Sequence, residues 1–311
     1  AAARAVESLV AEERVIAVVG PLLPQPAEEA ARAAQRLGVP LLALSQRGRP
    51  TAAGPFVFRP ATTTALQGRA IARQAIERLG VTRYAVLYPD DPYGADLLQA
   101  FAAEVRALGA TLTDTVAYQP GQTDFGKEIR QLAKIRQAPR TRRTRPGEAP
   151  VVEMRIEFDA LFIPDYYDRV GLIAPQLAYY DVKGIRLLGA AGWNSPELIR
   201  LAREHVEGAL FVDSFWAGSP TPAIRDFVAR FRARFGELPT VLEAEAYDAL
   251  RILLDTLQRA RPLSRDALRE ALSRVRDFPG LTGPFAFTAD READRPLLLL
   301  TIEDRRIKQV N

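Results

Sequence analysis

Three observations predict an α/β protein with parallel, doubly wound sheets arranged in two domains. Short apolar runs alternate with amphipathic stretches of helical period along most of the chain. Those runs hold few polar positions, as expected of parallel strands covered by helices on both faces. The chain has 311 residues, which at roughly 150 residues per domain suggests two domains.

Taken in order, Val15 to Val19 reads as a strand closed by Gly20 and Pro21. Pro26 to Leu37 follows as a helix whose acids Glu28 and Glu29 suit the positive end of the helix dipole, and Gly38 ends it. Val39 to Leu44 and Phe56 to Phe58 are strands. Thr62 to Leu79 is a helix with a threonine at its cap and Gly80 as its stop. Strands at Tyr84 to Tyr88, Thr111 to Tyr118, Phe158 to Ile163, Ile185 to Leu188 and Ala209 to Val212 alternate with helices at Gly94 to Leu108, Thr123 to Ile135, Tyr167 to Tyr180 and Pro196 to Arg203. The rhythm then changes to three successive helices, Pro222 to Phe235, Leu242 to Arg259 and Ser264 to Val275, before two closing strands, Leu297 to Ile302 and Ile307 to Val310. In parallel sheets ligands sit beyond the carboxyl ends of the strands. The loops after Val19, Leu44, Tyr88, Ile163 and Leu188 are therefore where binding residues are sought.

Composition removes several function classes. The chain contains no cysteine, which excludes disulfides, a thiol nucleophile and thiolate metal sites. No run approaches the roughly 18 apolar residues of a membrane span. The net charge of +4 comes mostly from arginines interspersed with acids, and the basic and aromatic residues are not interleaved as a nucleic-acid platform requires. A Ser-His-Asp arrangement would have to use the single histidine, His205, which sits beside Glu204 and Glu207 at a helix end. Neither a phosphate-cradling loop nor a dinucleotide fingerprint is present, and no cofactor is implied. Asp90 with Asp91, and Asp165 with Asp168, are paired acids after strands. Such pairs serve glycosidases in principle, but acids in this position commonly cap the next helix or bind a polar ligand.

The motifs taken in order resemble a known family. Val15 to Pro21, Gly38 to Ser45, Phe56 to Pro60, Val86 to Gly94 (Val-Leu-Tyr-Pro-Asp-Asp-Pro-Tyr-Gly), Thr123 to Phe125, Asp159 to Tyr167, Glu207 to Phe211, Glu245 to Ala249 and Gly280 to Phe285 follow the order seen in leucine/isoleucine/valine-binding proteins, of the type I periplasmic binding protein class. The resemblance spans nearly the whole chain. It implies two lobes joined by three crossovers with a ligand in the cleft between them, an envelope location, an ABC permease as partner, and no catalysis. The crossovers are expected near Arg59 to Thr62, Val212 to Ala217 and Phe285 to Asp290. That places residues 1–60 and 216–286 in lobe one, and 61–215 and 287–311 in lobe two. The family opens with a strand, a helix and a strand before the helix represented by Ala1 to Val10. The expectation is therefore that an N-terminal part of lobe one is missing.

The resemblance also assigns candidate ligand residues. Tyr93 and Tyr166 keep family tyrosines, Asp165 is added beside the second, and Ser45 is placed to supply a hydroxyl and backbone groups. Gln46 and Arg47 extend that rim, Arg47 with a positive charge, and Trp193 is placed to close over a ligand. Two contacts are replaced: Pro24 or Gln25 stands where a serine would bind an amino acid's carboxylate, and Ala191 where an acid would pair with its ammonium. A buried ammonium without that acid lacks its main partner. The expected ligand is small, polar and amino-acid-like.

Asp165 to Gln176 and Gly192 to Leu198 also resemble penicillin-binding-protein activators, which implies a regulatory alternative with a cell-wall synthase as partner. Lys134 to Pro150, with five arginines and three prolines, suits a solvated surface loop or a docking patch for an acidic partner or envelope polymer.

Overall fold

The computed structural model describes residues 1–134, 136–137 and 152–310. The basic segment singled out above therefore lies, apart from Lys134 and residues 136–137, outside the described residues. Lys134 itself is paired with Glu157 and with Asp114.

The helices are α1 (Ala2–Ala11), α2 (Pro24–Arg36), α3 (Thr64–Leu79), α4 (Pro92–Ala107), α5 (Gly126–Leu132), α6 (Tyr167–Tyr179), α7 (Pro196–Ala202), α8 (Pro222–Phe235), α9 (Val241–Ala260) and α10 (Arg265–Ser273). The strands are β1 (Val18–Val19), β2 (Leu41–Leu42), β3 (Val57–Phe58), β4 (Arg83–Pro89), β5 (Thr111–Tyr118), β6 (Arg136–Gln137), β7 (Val152–Glu153), β8 (Ala160–Phe162), β9 (Arg186–Gly189), β10 (Leu210–Asp213), β11 (Phe278–Gly280), β12 (Gly283–Phe287), β13 (Ala293–Asp294), β14 (Leu298–Glu303) and β15 (Arg306–Gln309). They form two compact units, 1–64 with 214–298 and 65–213 with 299–311. The third change of unit comes later than the Phe285 to Asp290 expected. β13 still pairs with β12, and Arg295 is tied to Asp248 of α9, so both belong to the first unit.

In the first unit β1, β2 and β3 form a parallel sheet. Its strands show how alternation builds two cores. Leu41 and Val57 turn to the side of α1 and α2, where Val6, Ala27, Ala30, Ala31 and Ala34 are buried. Leu42 and Phe58 turn to the opposite side, onto Ala249, Ile252, Leu268, Phe278, Phe285 and Phe287. The alanines of α2 recur at helical spacing, and their small side chains let α1 approach closely.

Several expected elements change here. β1 is two residues long because Val15 is engaged elsewhere: its carbonyl accepts from the Arg265 guanidinium at 2.7 Å and 3.1 Å. α2 begins at Pro24, so Glu28 and Glu29 are not in its first turn. Glu28 instead accepts the Arg49 N–H at 3.2 Å, and Glu29 faces the Ala1 ammonium at 3.4 Å. The antiparallel sheet β11–β12–β13 was not expected, since Pro279, Gly280, Gly283 and Pro284 read as turn residues.

In the second unit one sheet has the order β15-β14-β10-β9-β8-β4-β5. β5, β4, β8, β9 and β10 are parallel, and β14 and β15 pair as an antiparallel hairpin. Its central residues are fully buried, among them Ala85, Val86, Leu87, Leu161, Phe162 and Leu188. α5 is shorter than the Thr123 to Ile135 helix expected. Asp124 Oδ1 accepts the Gly126 N–H at 2.8 Å, and the Phe125 N–H goes to Gln176 Oε1 at 2.8 Å, so the chain is tied down before the helix begins. No helix among the described residues is long and apolar enough to cross a membrane.

Candidate functional site

The carboxyl edge of the second unit's sheet collects most of the residues sought. After β4, Asp91 caps α4, its Oδ1 accepting the Gly94 N–H at 2.8 Å. Glycine is needed there: a Cβ on Gly94 would lie 2.4 Å from the Pro89 carbonyl. This turn buries Tyr93. After β8, the chain bends so that Asp165 is buried and Tyr166 is 49% exposed. The two tyrosine rings stack, with centroids 4.8 Å apart and planes 14° apart. The result is an aromatic shelf with one inner ring and one ring open to solvent.

Asp165 is held beneath that shelf. Its Oδ1 accepts the Tyr166 N–H at 2.7 Å, and its Oδ2 accepts from the Tyr118 hydroxyl at the end of β5. Burial pushes the Asp165 carboxyl above its ordinary range, and the two donors and the neighbouring Asp168 and Asp91 only partly offset or add to that. Burial, followed by the Asp165 charge, likewise pushes the Tyr118 hydroxyl upward, which keeps it a donor. Asp91 and Asp165 are thus spent on structural hydrogen bonds, which disfavours reading the paired acids as a hydrolytic dyad. Among the described residues no group of three or more His, Cys, Asp or Glu is placed to hold a metal ion.

After β9 the expectation for Trp193 is corrected. Its side chain is fully buried, its indole N–H donates to the Ile163 carbonyl at 3.0 Å, and its ring lies against Phe211 and over Gly189. The indole belongs to the core of the second unit and does not close over a ligand. Its neighbour Gly192 lets this turn approach the Asp165 carbonyl, which a Cβ would meet at 2.9 Å. At Ala191 the backbone N–H is taken by the buried Gln67 Oε1 at 3.2 Å.

In the first unit the turn after β2 carries Ser45, Gln46 and Arg47. Ser45 is fully buried and its hydroxyl donates to the Arg47 carbonyl at 2.5 Å. The expectation that Ser45 presents a hydroxyl to a ligand is corrected accordingly: the donor is used to shape the turn. Gln46 donates to Glu245 Oε2 at 3.3 Å, and Arg47 is half-buried at the end of the turn. Pro24 is the first residue of α2 and Gln25 leans on Glu29, so neither supplies a serine-like hydroxyl.

Three supporting residues were not singled out as site residues from the sequence: Tyr118, Gln67 and Glu245. Glu245 is buried and accepts the Thr62 N–H at 2.8 Å and the Ser214 hydroxyl at 3.0 Å. The signal for it was present, because positions 245, 249 and 252 share the core face of α9 and an acid there demands partners. Tyr118 ends a strand whose alternation buries Val116 and Tyr118 together.

A chain divided into two α/β units with polar and aromatic side chains gathered at the carboxyl ends of parallel strands is a small-molecule binding scaffold. The chain belongs to the periplasmic binding protein family, whose model matches residues 1–306. No curated protein sequence matches it. Among solved structures it is similar to a leucine-binding protein of Thermotoga maritima, at 24% identity and a TM-score of 0.74, covering 100% of this chain and 83% of that one. It is also similar to a putative branched-chain amino acid ABC transporter protein of Rhodospirillum rubrum, at 24% identity and a TM-score of 0.86, covering 99% and 84%. A third is a solute-binding protein of Rhodopseudomonas palustris in complex with 3,4-dihydroxybenzoic acid, at 19% identity and a TM-score of 0.74, covering 99% and 81%. The fold is the type I architecture expected from the sequence.

Proposed function

We propose that this chain is the substrate-binding component of an ABC importer of the cell envelope. It holds a small polar organic acid without transforming it, with an amino acid or an aromatic acid as the ligand class. The observation that carries this reading is the Tyr93–Tyr166 shelf with Asp165 beneath it at the carboxyl ends of β4 and β8. In this reading a flat or apolar group of the ligand packs against the half-exposed Tyr166. The similar structures support the class: one is a leucine-binding protein, one a branched-chain amino acid ABC transporter protein, and one a solute-binding protein in complex with 3,4-dihydroxybenzoic acid. Ala191 argues against a simple copy of amino-acid recognition. The regulatory alternative finds no support in the described residues or in those structures.

Calorimetry against branched-chain amino acids, aromatic amino acids and hydroxybenzoates tests the proposal. One of these classes is expected to bind, and Tyr166→Ala is expected to weaken it about tenfold or more, about 1.4 kcal/mol, from lost stacking and burial. Silence with all three classes, or binding indifferent to both Tyr93→Ala and Tyr166→Ala, would remove the basis for the reading.

A further inference from the structure

We infer that the outer face of α8 is a docking groove for an acidic, amphipathic segment of another protein. Between α8 and the segments that flank it the first unit has an open groove of about 600 Å3, lined by Ala217, Pro222, Arg225, Ala229, Arg232 and Leu238, with Val228 in its floor. The floor rests on a core in which Phe215, Ile224 and Phe227 are buried, so it is backed by packed structure. Leu238 on its wall is 57% exposed. An apolar side chain entering the groove would cover it.

The charge pattern selects the occupant. Arg225 and Arg232 are both exposed and lie seven residues apart on one helix, two turns or about 10.5 Å along its axis. Their guanidinium groups have no hydrogen-bond or ion-pair partner among the described residues. The acid within the lining, Asp226, is already paired with Arg230 at 2.9 Å. Two uncommitted cations thus bracket an apolar floor at fixed spacing. The complement is a helix with carboxylates at positions i and i+7 and leucine-like residues between them. A flat anionic bilayer is a poorer match, because Asp226 lies beside Arg225 in the lining.

The test uses the full chain and a labelled synthetic helical peptide with Glu at i and i+7 and Leu at i+3 and i+4, followed by fluorescence anisotropy. The same peptide with Lys at i and i+7 and vesicles of phosphatidylglycerol serve as comparisons. The Glu peptide is expected to bind and the Lys peptide to bind at least tenfold more weakly. Binding should weaken about tenfold in Arg225→Glu/Arg232→Glu and several-fold when salt rises from about 0.05 M to about 0.3 M. Ala229→Trp, which fills the groove without changing charge, should also abolish it. Neither guanidinium has a partner among the described residues, so the charge-reversed variant should keep its circular dichroism and melting temperature. Failure of the Glu peptide to bind, equal binding of both peptides, or binding unaffected by the charge reversal would overturn the inference. So would vesicle binding that is lost in the charge-reversed variant while the peptide does not bind, since that assigns the arginines to a membrane surface. None of these outcomes bears on whether a small molecule binds at Tyr93 and Tyr166.

Discussion

Arg295 and Asp248 make the sharpest stability test in the first unit. Their side chains are 4% and 2% exposed, and Arg295 Nη2 donates to Asp248 Oδ2 at 2.8 Å. Asp248 also accepts the Leu281 N–H at 3.2 Å and has Arg251 at 3.8 Å, while the Arg295 guanidinium lies over the Phe285 ring. Removing one partner leaves the other's charge buried, which costs about 3–5 kcal/mol. Asp248→Ala should sit at the upper end, because it strands both a guanidinium and the Leu281 amide. Arg295→Ala should sit at the lower end, because the remaining carboxylate keeps the Leu281 N–H and the nearby Arg251. Removing both leaves no orphan charge. The double variant is thus expected to lose at least about 2 kcal/mol less than the two single losses added together. For a unit of roughly 150 residues, at about 2–4 °C per kcal/mol, the single variants should melt roughly 6–20 °C lower. The chain has two tryptophans, and Trp193 lies in the second unit, so a Trp193→Phe background leaves Trp216 as the fluorescent reporter of the first. Urea unfolding followed at Trp216 in the four-member cycle measures the coupling. Additive losses within about 0.5 kcal/mol, or single losses below about 1 kcal/mol, would refute the reasoning.

Other expectations follow from the same kind of accounting. Glu245→Ala strands the Thr62 amide and the Ser214 hydroxyl, both buried, and should cost about 3 kcal/mol or more. Glu245→Gln keeps an acceptor oxygen and should cost less than half as much by urea unfolding; equal losses would deny the hydrogen bonds their role. For Asp165, burial raises the folded carboxyl above its ordinary value of 3.8. Its contribution to stability is therefore present below that value and lost as pH rises through the folded one. Asp165→Asn should accordingly gain stability relative to the parent chain as pH rises from about 4, and a difference that is flat or falls with pH in melting experiments would contradict this. Gly189→Ala places a Cβ 2.2 Å from the Trp193 ring. It should cost about 1–3 kcal/mol or more and shift the Trp193 emission, whereas an unchanged melt would show that the indole relocates freely.

Much of this protein could be read from the sequence because parallel α/β architecture leaves a local record. Strands buried on both faces are continuous apolar runs, and helices begin on capping residues such as Asp91, Ser195, Thr240 and Ser264. The edges of the sheets were less legible. Nothing near Val15 announces that Arg265, 250 residues away, takes its carbonyl, and the strands around Pro279 and Pro284 exist only because partners meet there. The candidate site residues divide in the same way. Strand-end position together with the family resemblance brought Tyr93, Asp165 and Tyr166 forward, and the fold stacks the two tyrosine rings and buries Asp165. Whether a side chain faces a ligand or the core is a tertiary decision: Trp193 follows a strand end as Tyr166 does, yet the missing side chain at Gly189 draws its indole inward. Ser45 likewise keeps its hydroxyl for the Arg47 carbonyl. The sequence by itself determined the order of strands and helices and the sheet edge at which binding residues are sought. Only the tertiary structure decided which side chains at that edge remain open, because that choice depends on long-range neighbours competing for the same hydrogen-bonding groups and the same space.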